Sequence, residues 1–287
     1  MAVVRLQERS AREIAYQRKL REILRQVDHL EEGSIKQVMA FLREARERIA
    51  SSLASSTGFD AIHLQAIKRE IETVVGELQS KYSAYFDKQL VKAWQTGTDI
   101  VELPLRQVGI DVGSSLAAVS REQLEVLRGF SADLVKDIAQ TGLKRINSEI
   151  QLGILGQKSV NEVMKGVGRS LTSPGVFQNI TSRAEVVTRT ELNRVVNMAT
   201  GQRVVALGRE LPGLRKYWDH TTDSRTRASH ESVGIETNPD FGGKPVPFDQ
   251  DFLVGGEWAS GPHDPRLSAA ETIQCRCRLG IIPPEES

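Results

Sequence analysis

The chain has 287 residues, enough for two domains that each bury a core. Its formal net charge is +1 and its aromatic content 5%, which excludes a global polyanion-binding field and a broad base-stacking surface. No apolar run approaches the ~20 residues that span a bilayer, and the opening Met-Ala-Val-Val-Arg-Leu-Gln-Glu-Arg lacks an apolar signal core, so the expectation is a cytosolic chain with no membrane partner.

The first half is built from helix formers. Tyr16, Leu20, Ile23, Leu24, Val27 and Leu30 recur at three-to-four spacing and predict a helix that Gly33 stops. Ser34 with Gln37 forms a capping box for a second helix, with Ile35, Val38, Met39, Leu42 and Ile49 on one face. The stretch 51–58, rich in Ser and ending in Gly58, reads as a linker. Asp60 is placed to cap a third helix whose apolar residues Leu64, Ile67, Ile71, Val74, Leu78 and Tyr85 form a heptad seam, ended by Thr96-Gly97. A loop holding Pro104, Gly109 and Gly113 follows, then a helix opened by Ser120 and Gln123, then another carrying Leu134, Ile138, Ile146, Ile150 and Ile154. Ser159 with Glu162 caps a short helix to about Arg169. Ser173-Pro174-Gly175 breaks the chain and sets the predicted domain boundary, giving a helical region 1–173 for partner contacts and a C-terminal domain 174–287.

Beyond that boundary one helix is predicted from about Ser182 to Leu207. Leu214–His220 alternates like a strand, and Asp223 reads as the N-cap of a short helix holding Arg227 and His230. Gly and Pro are dense from Gly234 to Gly261, as in loops and short strands. Cys275-Arg276-Cys277-Arg278-Leu279-Gly280-Ile281 alternates again and is expected to form the closing strand. The fold class is therefore α+β: an elongated, mainly helical N-terminal region, then a compact domain with one long helix on a small sheet.

Ligand-capable residues concentrate in the last third, which holds three of the five histidines and both cysteines. Arg189, Asn193 and Asn197 lie four apart in one polar stripe, extended by Glu185. This is either a solvated face or a row in which Arg189 and Glu191 organise neighbouring loops by charge-assisted hydrogen bonds. Asp223, Arg225, Arg227 and His230 could hold an anion or a metal, or Asp223 could simply cap while the arginines pair with carboxylates. Cys275 and Cys277, on one face of a strand, could ligate Zn²⁺ with His230 or His263 completing a Cys₂His₂ set, or be two small buried hydrophobes. Established catalytic signatures such as His-Glu-x-x-His or Gly-x-Ser-x-Gly are absent from the sequence, which leaves a Cys–His nucleophile pair as the formal enzymatic option. Basic residues outnumber acidic ones 9 to 5 over Thr181–His230, and the balance reverses, 4 to 10, over Glu231–Ser287. That asymmetry fits two faces meeting different partners.

Taken in order, Arg189-Thr190-Glu191, Trp218, Asp223-x-Arg225-x-Arg227-x-x-His230, Gly234, Gly261-Pro262-His263-Asp264, Glu271 and Cys275-Arg276-Cys277 resemble the phage Mu F-like family of head morphogenesis (minor capsid) proteins, over roughly Ser159 to Leu279. The turn before Cys-x-Cys departs from a Tyr-Pro-Gly-Asp-like family pattern. The resemblance implies a low-copy structural component of a tailed-phage or prophage head. It would assemble in the host cytoplasm and end in the virion head. Its partners would be the portal protein, the major capsid or scaffolding protein and, in some readings, packaged DNA. Arg189, Glu191, Trp218, Asp223, Arg225 and Arg227 are then expected to organise the C-terminal domain, with zinc on His230, His263, Cys275 and Cys277 as its metal option. The rival expectations are a metal-dependent hydrolase or nuclease, a toxin-type transferase using the Arg/Glu/His/Cys cluster, or a DNA-binding accessory protein using the arginines from Arg183 to Arg227.

Overall fold

The computed structural model describes residues 10–54, 61–113, 121–155, 157–171 and 176–284. Five helices come first: α1 (Ala11–Ala54), α2 (Ala61–Gln107), α3 (Arg121–Ile154), α4 (Val160–Leu171) and α5 (Val176–Gly208). There follow β1 (Arg215–Asp219), α6 (Ala228–Thr237), a 3-10 turn at Pro239–Phe241, β2 (Val246–Pro247), β3 (Phe252–Val254), β4 (Glu257–Ala259), α7 (Ala269–Thr272) and β5 (Arg278–Ile282). The α+β class holds: long helices lead, and a small antiparallel sheet with a long helix ends the chain. No described helix is long and apolar enough to cross a membrane.

Several expected breaks are absent. Gly33 does not stop α1, and Ser34 is buried inside the helix rather than capping a new one. A mid-helix glycine costs only ~1 kcal/mol against alanine, and the burial of Val27, Val38 and Leu42 on either side outweighs it. Residues 51–54 of the expected linker belong to α1; its remainder, and Asp60, lie outside the described residues. Likewise α2 runs through Thr96-Gly97 and Pro104 to Gln107. Gly97 serves close approach: a Cβ there would collide with the Val196 carbonyl oxygen of α5, and Thr200 Oγ1 donates to Gly97 O at 2.9 Å. The helices expected after Ser120 are one, α3, whose proposed cap lies outside the described residues. The third capping box forms as expected, with Ser159 N and Oγ donating to Glu162 Oε2 (2.8 and 2.7 Å) at the start of α4. The predicted boundary near residue 173 lies outside the described residues.

Two compact units divide the chain. One comprises Glu31–Leu90 and Glu125–Glu191, the other Met1–Leu30, Val91–Leu124 and Leu192–Ser287. In the first, helical unit the heptad seam is core from Leu64 to Leu78: Leu64, Ile67, Ile71, Val74 and Leu78 are buried, but its expected last member Tyr85 is half-buried, and Tyr82 and Phe86 continue the row instead. In the second unit Tyr16, Leu20, Ile23 and Val27 are buried, with Tyr16 Oη donating to Ile281 O at 3.0 Å. Within the region 1–173 expected to contact partners, these two apolar rows are buried in the chain's own units.

The sheet-bearing unit positions the candidate site. Its three-stranded antiparallel sheet has the order β2-β1-β5, with Trp218 opposite Leu279 and Asp219 opposite Arg278. Strand β1 is central, so Lys216, Tyr217 and Trp218 are buried in succession. Helix α6 turns His230, Val233, Gly234 and Thr237, the i, i+3, i+4, i+7 face, inward. The hairpin β3–β4 turns at Gly255-Gly256, both at positive φ, as a tight two-residue hairpin requires.

Candidate metal centre

The predicted closing strand begins later than expected. Strand β5 starts at Arg278, and Cys275 and Cys277 stand on the segment just before it. Alternation nevertheless survives there. Both sulfurs point into the domain, and Arg276 between them points out to a bidentate pair with Asp223 (2.8 and 2.7 Å). Asp223 is thus a clamp rather than the N-cap of α6; Arg227 occupies the cap position, without a side-chain cap bond. Asp223 also accepts from Arg225 N at 3.0 Å, and Arg276 holds its carboxyl well below the usual carboxylate range. Arg227 reaches the same segment through Ile273 O at 2.6 Å. Among the described residues Arg225 pairs with Asp223 alone, and it is largely exposed. The motif Asp223-x-Arg225-x-Arg227-x-x-His230 therefore clasps 273–277 at three of its four marked positions.

His230 is the innermost of these contacts. Its Nδ1 lies 3.3 Å from Cys277 Sγ and 3.5 Å from Cys275 Sγ, and its Nε2 lies 2.9 Å from Glu271 Oε2. His230, Cys275 and Cys277 are all buried, and their three ligand atoms lie within 4.8 Å of one another. Ser229 Oγ donates to Glu271 Oε2 at 2.9 Å, fixing the carboxylate that faces the ring. Trp218 closes one side, edge-on to His230 with centroids 5.2 Å apart and edge-on to Phe252 at 5.7 Å.

The two thiols do not titrate alike. Cys277 is held well below the ordinary thiol range, first by the hydrogen bond from Cys275 and then by His230 and the Trp218 indole; burial opposes this. Cys275 is pushed up by that same bond, by burial and by the charge on its partner. One thiolate and one thiol sharing a proton is the chemistry of two buried acids in contact. Asp219, opposite Arg278, is raised to about 6 by burial and by the Cys277 charge.

His263 does not join the cluster. It is fully buried at φ 61, and its Nε2 is bonded to Cys275 O at 3.0 Å while Nδ1 has no hydrogen-bond partner among the described residues. Burial drives its pKa down to about 3, so the ring is neutral and donates Nε2–H to the carbonyl. It bonds the backbone of Cys275 and stands apart from the three side chains gathered around His230. The turn expected at Gly261–Asp264 is present: Asp264 N donates to Gly261 O, and the Asp264 carboxylate accepts from Ser260 N and Arg266 N.

The polar stripe on α5 is not a solvated face. Asn193 and Asn197 are buried, as is Glu191. Asn197 Nδ2 donates to Cys277 O at 3.1 Å and Leu279 N donates to Asn197 Oδ1 at 3.1 Å, so this side chain pairs with the β5 segment as another strand would. Arg189, expected to hold loops, instead bonds Glu31 of α1 at 2.7 Å and Glu185 one turn back at 3.1 Å, within the helical unit. The residues that sequence reasoning left without a role are Glu271, Arg276, Asn197's strand partners and the buried Lys216. A carboxylate four positions before Cys275 and an arginine between two inward cysteines were the available signals for the first two. No protein-family model, curated protein or solved structure matches the chain.

Proposed function

We propose that this chain is a structural assembly protein, a minor head component of a tailed phage or prophage, whose C-terminal domain is closed by a zinc ion on His230, Cys275 and Cys277. The observation that carries the structural half is the use to which the motif side chains are put. Asp223, Arg227, His230 and Asn197 direct their polar atoms to the segment 271–279, and Trp218 packs edge-on against His230. Groups that hold a domain together in this way favour a scaffold over a catalyst.

The zinc half rests on distances. With metal–sulfur bonds of ~2.3 Å and metal–nitrogen bonds of ~2.0–2.1 Å, a tetrahedral ion sets nitrogen–sulfur edges of ~3.5 Å. The separations of 3.3 and 3.5 Å from His230 Nδ1 to the two sulfurs match that edge. Glu271 at Nε2 supplies the outer carboxylate that orients a metal-bound imidazole. Two thiolates would balance a divalent charge in a buried site where one thiol alone already ionises readily.

The order sulfur, imidazole, carboxylate is also that of an activated thiol nucleophile. Cys277 and His230 are 3% and 1% exposed, which denies a substrate the approach such a mechanism needs. The head-assembly reading implies the portal, coat or scaffolding proteins as partners. Mass spectrometry of purified particles, with capture of the portal protein by the tagged chain, tests it. Low-copy presence in the head with portal association is the expected result; absence from particles together with no association with any head component overturns it.

A further inference from the structure

The hairpin β3–β4 is a sheet of two strands, with no third strand beside it among the described residues. One face is core: Phe252, Val254 and Ala259 are buried, and Phe252 meets Trp218 edge-on. The other face carries Leu253 and Trp258, directly opposite each other and 52% and 58% exposed. They form a contiguous apolar pair rather than scattered single residues. Trp94 and Trp218, the other tryptophans of the chain, are buried.

The backbone of this pair is open as well. The two-residue turn makes Val254 and Glu257 a hydrogen-bonded pair, and pair types alternate along an antiparallel ladder. Leu253 and Trp258 are therefore a non-hydrogen-bonded pair, whose N–H and C=O point away from the partner strand. Trp258 N–H and C=O make no backbone bond to any other described residue. The β4 edge thus offers a donor and an acceptor beside an exposed indole, as a sheet edge that receives an added strand does.

The surroundings are acidic. From α6 to α7, Ala228–Thr272, the sequence has eight aspartates and glutamates against two cations, Lys244 and Arg266. Lys216 and Arg209, which stand near the aspartates of the 249–264 stretch, bring the cations to four and leave an excess of four negative charges. Glu257, on the hairpin itself, accepts from Ser268 N and has no cation partner among the described residues. Glu231 and Glu236 are exposed on α6, which packs with β3. A second copy pairing edge to edge would bring the same negative excess and be repelled, whereas a cationic segment would be attracted.

We propose that the β4 edge binds an extended basic segment of another protein, in which Arg or Lys alternates with aliphatic residues. The segment adds as a strand beside Trp258. Its cations lie on the outward face against the indole, and its aliphatic side chains continue the face of Ala259. The proposal stands independently of the head-assembly reading and of the metal.

The test uses the full isotope-labelled chain and follows the Trp258 indole N–H by NMR, assigned by its loss in Trp258→Phe. The probes are acetyl-Thr-Arg-Val-Arg-Val-Arg-Thr-amide, the same peptide with Glu for each Arg, and the Arg peptide N-methylated at all its Arg and Val residues. The Arg peptide should shift the Trp258 signal and leave those of Trp94 and Trp218 in place. The Glu peptide should bind about tenfold more weakly or worse, from charge. The N-methylated peptide should lose about as much, for want of strand pairing. Trp258→Ala, at an exposed position, should keep the melting temperature and weaken the Arg peptide about tenfold by calorimetry. Equal binding of the Arg peptide and either control, or no shift of Trp258 with any probe at millimolar concentration, overturns the proposal. Self-association of the chain alone that shields Trp258 from acrylamide overturns it too, since a second copy is then the occupant.

Discussion

The helical unit and the sheet-bearing unit bury different chemistry. The first is closed by an apolar row, Leu64, Ile67, Ile71, Val74, Leu78, Tyr82 and Phe86, with Tyr82 Oη against Thr188 Oγ1 at 2.8 Å beside it. The second buries two thiols, three imidazoles, a lysine and three asparagines beside its apolar residues. An apolar seam is non-directional and tolerates swaps that conserve volume. A buried polar cluster tolerates little, because each unpaired group costs its full desolvation. The difference teaches where the chain is brittle: substitutions along the seam should act through volume, those around His230 through lost partners.

The largest effect is expected at the thiols. Cys277→Ser should abolish stoichiometric metal and remove hydrogen-exchange protection across β1, α6 and β5, while the seam helices keep theirs. Structural zinc contributes ~10–16 kcal/mol in small peptides, comparable to the whole stability of a domain at ~5–15 kcal/mol. A variant with the same melting profile as the parent would break the comparison.

Next comes pH. The folded pKa of His263 lies at about 3 against an ordinary 6.5, so the unfolded chain binds the proton first. The stability His263 contributes is complete above about 6.5 and is lost as pH falls toward about 3. The full span corresponds to roughly 4–5 kcal/mol. Denaturant titrations of the parent and of His263→Gln, which keeps a donor for Cys275 O, should show the variant with the flatter acid limb.

Asn197→Ala should cost about 1–3 kcal/mol by removing the partner of Leu279 N and leaving Cys277 O with only the 3.4 Å bond from Arg278; chemical denaturation measures it. Glu271→Gln is expected to fold and to weaken zinc by about 10–100-fold, as loss of an outer carboxylate does, read by competition with a chelator. Arg225→Ala should change neither melting temperature nor metal content, because its side chain is 71% exposed and, among the described residues, pairs with Asp223 alone. That last result separates the one outward residue of the Asp223–His230 motif from its inward neighbours.

Much of the architecture was legible in the residues. The seam from Leu64 to Leu78, the Ser159–Glu162 cap, the long α5, β1 and the inward pair Cys275 and Cys277 follow from local period and cap chemistry; the strand after them is buried without alternation. Helix breaks were not legible. Gly33 and Gly97 look like stops in sequence, yet tertiary packing carried α1 and α2 through both, at Gly97 because the missing Cβ admits α5. At the site, His230 with the two cysteines could be read from residue type and spacing. His263 could not be excluded, since only the fold reveals that its Nε2 is spent on Cys275 O. Asn197 and Asp223 looked like a solvated stripe and a cap because their partners, Leu279 and Arg276, lie 82 and 53 residues away.

The proposed metal on His230, Cys275 and Cys277 would close the sheet-bearing unit. Native mass spectrometry of the chain, purified without added metal or chelator, tests it most directly. The expected result is a stoichiometric zinc adduct that protects both cysteines from alkylation and disappears in Cys277→Ser. A folded parent chain without metal, alkylated at Cys275 and Cys277 as fast as a free thiol, would contradict it.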